Sequence, residues 1–360
     1  MPLRSLDMSR FEMATRQAFL LQNTIPFVDS APQFITLPQV GLLAKIRILV
    51  SGTTTTAAAS SATRKAYIPA PFSIVRRLIL RSSEGADIYN TSGWGNYLFN
   101  RTNKFVGEYA VNDNSLVIPT APTPDPFPRY FSDGGDLGAS ATANWRFMLS
   151  IPVSLGPRSL TGLLMMQNPG VQFQLEIQWG TTSDLYTTAG TVTLSNVTAI
   201  PEIEIFHLPE NFDDDPDLGF ARNIIEELTP FTNTGDVPYV APLSHIYMKL
   251  LHMVENNSLP VDMSKINQLK LQYAQTQVAY NMKPDIHLWR QRQRYGLDLP
   301  PGLYVHDLGM PDEMPEFPGP RDWIDTGFIT DFKSIINVDS SLSLVSAQLR
   351  TIRDTLAPTE

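Results

Sequence analysis

Cysteine is absent from the 360 residues. That removes disulfide staples, thiolate metal sites and cysteine nucleophiles together, so stability has to come from packing and association. Long apolar runs are missing as well: no stretch approaches the roughly 18 residues of a membrane-spanning helix. The opening residues MPLRSLDMSRFEM carry basic side chains without the apolar run of a secretory signal. Synthesis in a cytoplasm is therefore expected. The sequons at Asn90, Asn100, Asn196 and Asn256 then read as chance matches. Positive charge is also scarce, with a formal net charge of −9 and no run of five or more Lys or Arg. Broad binding to a phosphate backbone is not expected, and nucleic acid is not a direct partner.

Proline is abundant, with 29 Pro beside 21 Gly, spread between apolar runs rather than gathered in one tail. Such punctuation suits many short strands joined by long ordered loops. At this length two domains are the default, because single domains cluster near about 150 residues.

Near the start, Met8, Phe11, Ala14, Ala18 and Leu21 recur at spacings of three and four, which predicts an amphipathic helix over 8–23 that ends before Pro26. The period then switches to two. Ala44, Ile46, Ile48 and Val50 alternate with Lys45 and Arg47, and Val171, Phe173, Leu175, Ile177 and Trp179 alternate with Gln172, Gln174, Glu176 and Gln178. Each is the pattern of a strand with one core face. Further strands are expected at 73–82, 145–153, 191–195 and 201–207. After the acidic, proline-bearing Pro209–Gly219 they resume at 243–254, 265–273, 302–307, 327–338 and 342–352, with a helical stretch near 284–295. The expected layout is an N-terminal arm over 1–30, one β-sandwich over 31–210, a linker over 211–222 and a second sandwich over 223–360.

The two halves resemble each other. An offset of 191 residues aligns Ser73 with Ser264, Val75 with Ile266, Leu78 with Leu269, Leu80 with Leu271, Tyr89 with Tyr280 and Asn90 with Asn281. A second offset, of 200, pairs Leu43 with Leu243 and Ile46 with Ile246. Internal repetition of one all-β domain accounts for both.

Constellations for catalysis are thin. The five histidines, His207, His245, His252, His287 and His306, include no HExxH or His-x-His pair, and each reads as structural. No G-x-S-x-G elbow, GxGxxG or GxxxxGK[ST] is present. Carboxylate pairs for glycoside hydrolysis would be Glu202 with Glu204, which alternation places on a strand face, or Glu226 with Glu227, expected on a helix turn. Asp213, Asp214, Asp215 and Asp217 could gather calcium but lack the spacing and closing Glu of an EF-hand, so a solvated linker is the simpler reading. The stretches Asn90–Gly95 and Trp289–Arg294 mix aromatic and polar groups, as glycan- or nucleic-acid-binding surfaces do. Their equivalent placement in both halves argues for a shared structural role.

In LPQVGLLAKIRILVSGTTTT at 37–56, IYNTSGWGNYLFNRT at 88–102, LPPGLYVHDL at 299–308 and RDWIDTGFITDFKSIINVDSS at 321–341 the chain resembles the double jelly-roll major capsid proteins of tectivirus-like phages. The resemblance implies an all-β fold of two tandem eight-stranded jelly rolls with short helices in loops and an N-terminal helix. It implies no catalytic residue, cofactor or metal. It further implies homotrimeric pseudo-hexagonal capsomers in an icosahedral virion made in a host cytoplasm, contacting neighbouring capsomers and possible penton and minor capsid proteins. The N-terminal helix would face an inner viral membrane, with Arg4, Arg10 and Arg16 toward anionic lipid. From another class, the alternative is a two-domain β-sandwich glycan-binding protein or glycoside hydrolase.

Overall fold

Alternating sequence becomes strand where one face can be buried and the backbone finds a neighbour to bond. The computed structural model describes residues 15–64, 71–102, 136–155, 161–207, 220–257, 259–273, 277–295, 299–300, 302–308 and 323–358. It divides into two compact units, the first built on Met1–Tyr97 and Asn114–Arg222, the second on Leu98–Asp113 and Asn223–Pro358.

Eight principal strands make the first sandwich: β1 (Arg16–Leu21), β2 (Pro32–Thr36), β3 (Leu42–Thr56), β4 (Val75–Ser82), β5 (Asp87–Thr91), β6 (Thr142–Pro152), β7 (Phe173–Trp179) and β8 (Val192–His207). They form two sheets in the orders β1-β8-β3-β6 and β2-β7-β4-β5. Ile46, Ile48 and Val50 of β3, Phe147 and Leu149 of β6, Leu78 and Leu80 of β4 and Leu175 and Ile177 of β7 are all fully buried. Each such side chain contributes roughly 1.5–3 kcal/mol of transfer free energy. β7 follows its sequence pattern closely, with Phe173, Leu175, Ile177 and Trp179 inward and Gln174, Glu176 and Gln178 on the other face. A short helix, α1 (Gly93–Arg101), follows β5.

The second sandwich repeats this plan with β9 (Phe220–Pro230), β10 (Gly235–Val240), β11 (Ile246–Asn256), β12 (Ile266–Tyr273), β13 (Gln277–Met282), β14 (Leu303–Asp307), β15 (Phe332–Val338) and β16 (Gln348–Pro358). Its sheets run β9-β16-β11-β14 and β10-β15-β12-β13. Its core gathers Tyr247, Leu250, Val254, Leu269, Leu271, Tyr304, Phe332, Ile336 and Leu349. Helix α2 (Pro284–Tyr295) follows β13, as α1 follows β5. Both halves are thus eight-stranded jelly rolls with one topology.

The repeat extends to register. Leu80 pairs Tyr89 and Leu271 pairs Tyr280, and in both hairpins a bulge follows that pair, between Leu80 and Arg81 and between Leu271 and Gln272. A single 3-10 turn precedes the hairpin in each half, Phe72–Ile74 and Met263–Lys265. Even a surface bond is kept: Arg77 Nη1 donates to Asn90 Oδ1 at 3.2 Å, and Gln268 bonds Asn281 at the equivalent place.

The expected helix over 8–23 requires correction. Residues 16–21 are strand β1, paired antiparallel with β8 from Arg16 opposite His207 to Leu21 opposite Glu202. The rest of the expected arm before residue 15 lies outside the described residues. Ala18 and Leu20 are the half-buried positions and Phe19 and Leu21 the exposed ones, so this segment satisfies period two as well as period 3.6. The edge of β8 decides between them, because β1 gives its exposed row of amides and carbonyls a partner. The first strand of the first jelly roll therefore lies inside the expected arm of residues 1–30. Glu226 and Glu227 likewise lie on β9 and not on a helix turn.

Candidate functional site

The sequence-predicted residues do not converge. Arg16 is exposed on β1, while Arg4, Arg10 and Asp213–Asp217 lie outside the described residues. Glu202 and Glu204 share one face of β8, where Arg47 spans them, Nη1 to Glu202 at 3.4 Å and Nη2 to Glu204 at 2.9 Å. Gln17 of β1 also donates to Glu204 at 2.5 Å, so this pair ties three neighbouring strands together. Glu226 and Glu227, being adjacent on a strand, point to opposite faces and find different arginines, Arg350 and Arg353. Among the described residues no group of three His, Asp or Glu is placed to share a metal ion. His207 ends β8 and His245 bonds Ser244 in an exposed turn, but His252, His287 and His306 meet inside the second roll.

Three arrangements were not evident from the sequence. The first is a device that closes a strand edge. β6 is the last strand of its sheet, and its buried Ser150 would present an unpaired amide and carbonyl. Asn96 of α1 meets both: its Nδ2 donates to Ser150 O at 2.8 Å, and its Oδ1 accepts from Ser150 N at 3.2 Å. The second roll uses Gln291 of α2 on β14, with Nε2 donating to Leu303 O at 3.1 Å and Oε1 accepting from Val305 N at 3.0 Å. A carboxamide mimics a strand's alternating donor and acceptor, which explains why each helix offers an amide to the edge. Asn96→Ala should lower stability by about 2–3 kcal/mol in urea denaturation, because two buried backbone groups lose their partners.

A second arrangement is a buried charged triad in the β9-β16-β11 region. Arg350 of β16 bonds Glu226 of β9, and it reaches Glu255 of β11 through Nε to Oε1 at 2.6 Å and Nη2 to Oε2 at 3.1 Å. Gln348 adds a bond to Glu255 at 2.5 Å. Burial alone would push the Arg350 guanidinium down, and the two carboxylates more than reverse this, holding it above its ordinary value.

The third is a set of uncovered apolar side chains on edge strands. In the first roll Phe19 and Leu21 of β1 and Phe34 of β2 are 52%, 73% and 68% exposed. In the second, Val240 of β10 is 59% exposed, and Phe328, on the 3-10 turn Thr326–Phe328, is 90% exposed. Apolar groups on sheet edges are what association covers, and what a solitary chain keeps hidden. The first roll also has a cleft of about 420 Å³ lined by Ser51, Gly52, Thr53, Asn144, Trp145, Arg146 and Asn196.

No protein-family model matches the sequence, and no curated protein sequence matches it. Solved structures do resemble it. The major capsid protein of Sulfolobus turreted icosahedral virus superposes with a TM-score of 0.68 at 16% identity, over 96% of this chain and 97% of that one. The capsid of the virus PBCV-1 gives 0.61 at 10% identity, over 95% of both chains. The major capsid protein of bacteriophage PM2 gives 0.56 at 11% identity, over 96% of this chain and 98% of that one. Along nearly its whole length, this chain has the double jelly-roll fold of viral major capsid proteins.

Proposed function

We propose that the chain is the major capsid subunit of an icosahedral virus, working as a homotrimer whose six jelly rolls make a pseudo-hexagonal tile. The observation that carries this reading is the repeat itself. Two rolls share strand order, register and bulge position within one chain, and threefold association of such a chain presents six like blocks around one axis. The exposed Phe19, Leu21 and Phe34 on edge strands supply apolar surface for lateral contact. The role is structural, with shape and contacts in place of catalytic groups. Penton and minor capsid proteins are the expected further partners. A membrane beneath the shell is the expected partner of the residues before β1, with Arg4 and Arg10 toward its anionic head groups and Arg16 held on the strand. A phage host follows from the resemblance to tectivirus-like proteins.

Light scattering should give a particle of about three times the 40.1 kDa chain, and electron microscopy should show hexagonal outlines. Removing residues 1–14 should leave that trimer intact and abolish binding to anionic vesicles. Removing 1–24 also deletes β1 and uncovers the β8 edge, so it should produce aggregation. A stable monomer would overturn the trimer. The rival reading, a glycan-binding β-sandwich, rests on the hydroxyl- and amide-lined cleft with Arg146, and a monomer that binds immobilised glycans would favour it.

A further inference from the structure

Inside the second jelly roll three imidazoles pack together. His252 comes from β11, His306 from β14 and His287 from α2, and ring centroids lie 5.7 Å apart for His252 and His306 and 5.0 Å apart for His287 and His306. All three side chains are buried, at 0%, 3% and 4% exposure for His252, His306 and His287. His252 Nδ1 meets Thr351 Oγ1 of β16 at 3.0 Å. The other five ring nitrogens, His252 Nε2 and both of His287 and His306, have no hydrogen-bond partner among the described residues. Leucine at these positions would cost less to bury, so three titratable rings in contact, with five of their six nitrogens unbonded, call for a physical role.

The surroundings define it. From β14, β10 and β13 the neighbours are the Tyr304, Tyr239 and Tyr280 rings, about 6 Å from the imidazoles. From α2 the charged groups acting on His287 are Arg290 and Arg294, both cations. Glu227 and Arg353 act on Tyr239, and Asp262 and Asp285 on Tyr304, but none of these carboxylates acts on an imidazole. Burial pushes His287 down to about 4, against a smaller upward pull from the Val305 backbone, and burial pushes His252 down to about 3. Burial and the two neighbouring rings hold His306 well below its ordinary value too. A proton arriving here finds no counter-charge, and the cheapest relief is to let His287 leave with its helix.

We propose that His252, His287 and His306 form an acid-operated latch, in which proton uptake frees α2 from the second jelly roll and uncovers the β14 edge that Gln291 closes. The direction follows from linkage. Closed, the rings stay neutral to about pH 4 at His287; once open to water they take up protons below their ordinary value of about 6.5. Latch stability is therefore complete above that value and drains as pH falls from 6.5 toward 4. At pH 5 each histidine that opens to water shifts the opening equilibrium roughly 30-fold, and all three together about 3 × 10⁴-fold. The first roll carries no such device: the 191-residue offset puts Asn96 where α2 has His287, and the 200-residue offset puts Gly52 where β11 has His252.

Hydrogen exchange on the full-length protein tests this, with opening constants corrected for the intrinsic pH dependence of exchange. Between pH 7.5 and pH 5 the amides of α2 and β14 should lose protection by several orders of magnitude, while those of β6 in the first roll change by less than about tenfold. His287→Asn, which borrows the residue used at Asn96, should reduce the pH slope by about one proton. Constant protection at α2 and β14, or an equal loss in both rolls, would overturn the latch. Should that variant fail to fold, the wild-type comparison of the two rolls still decides. Neither outcome depends on whether the chain forms trimers.

Discussion

Arg350→Met should lower the unfolding free energy by about 3–5 kcal/mol, the usual cost of removing one partner from a buried ion pair. The reason is desolvation. Glu226 and Glu255 are 3% and 2% exposed and Arg350 is 7% exposed, so losing the guanidinium leaves two carboxylates facing each other with little water to screen them. Methionine fills much the same volume as the arginine stem, which isolates charge from packing. The control is the triple variant Glu226→Gln, Glu255→Gln, Arg350→Met. Neutral amides can bond one another and Gln348, so most of the lost stability should return. Urea denaturation monitored by circular dichroism measures both proteins. A loss below about 1 kcal/mol in the single variant, the range of exposed pairs, would show that water reaches the triad and that it behaves as a surface ion pair.

That triad also shows what the sequence could and could not disclose. Central strands were legible because one face of each is buried: β7 alternates without a break, and the Leu80–Tyr89 and Leu271–Tyr280 hairpins keep enough identity to reveal the repeat. The six strands that escaped, β1, β2, β5, β9, β10 and β13, each lie at one end of a four-stranded sheet within their own unit. Edge strands bury less, alternate less regularly and tolerate proline, as at Pro32, Pro230 and Pro238. β8 reads as two strands because Pro201 interrupts it and Asn196, at φ 52°, marks a bulge, yet it pairs with β3 from Val192 to Phe206. Helix α2 was legible at its observed bounds. The polar clusters were not legible. Glu226, Glu255 and Arg350, like His252, His287 and His306, are far apart in the chain and meet only through strand order. No spacing rule reaches across a jelly roll.

The second large effect concerns the first roll's core. Trp145→Ala should destabilise the protein by about 3–5 kcal/mol, as truncation of a buried indole generally does. Trp145 is 1% exposed, its Nε1 bonds Thr54 Oγ1 at 3.1 Å, and it lies directly across from Gly52 in the β3–β6 pair. That glycine is the reason the indole fits. A Cβ on residue 52 would sit 2.7 Å from Cη2 and 2.8 Å from Cε2 of Trp145, closer than real Cβ contacts come, so Gly52→Ala must displace the ring. Overpacking of this kind costs about 1–3 kcal/mol. In the Trp145→Ala background the space is open, and the same Gly52→Ala change should cost less than about 0.5 kcal/mol. The double-mutant cycle is therefore expected to show a coupling on the order of 1–3 kcal/mol between the two sites. Additivity within about 0.5 kcal/mol would mean that the glycine serves the strand backbone and not the indole.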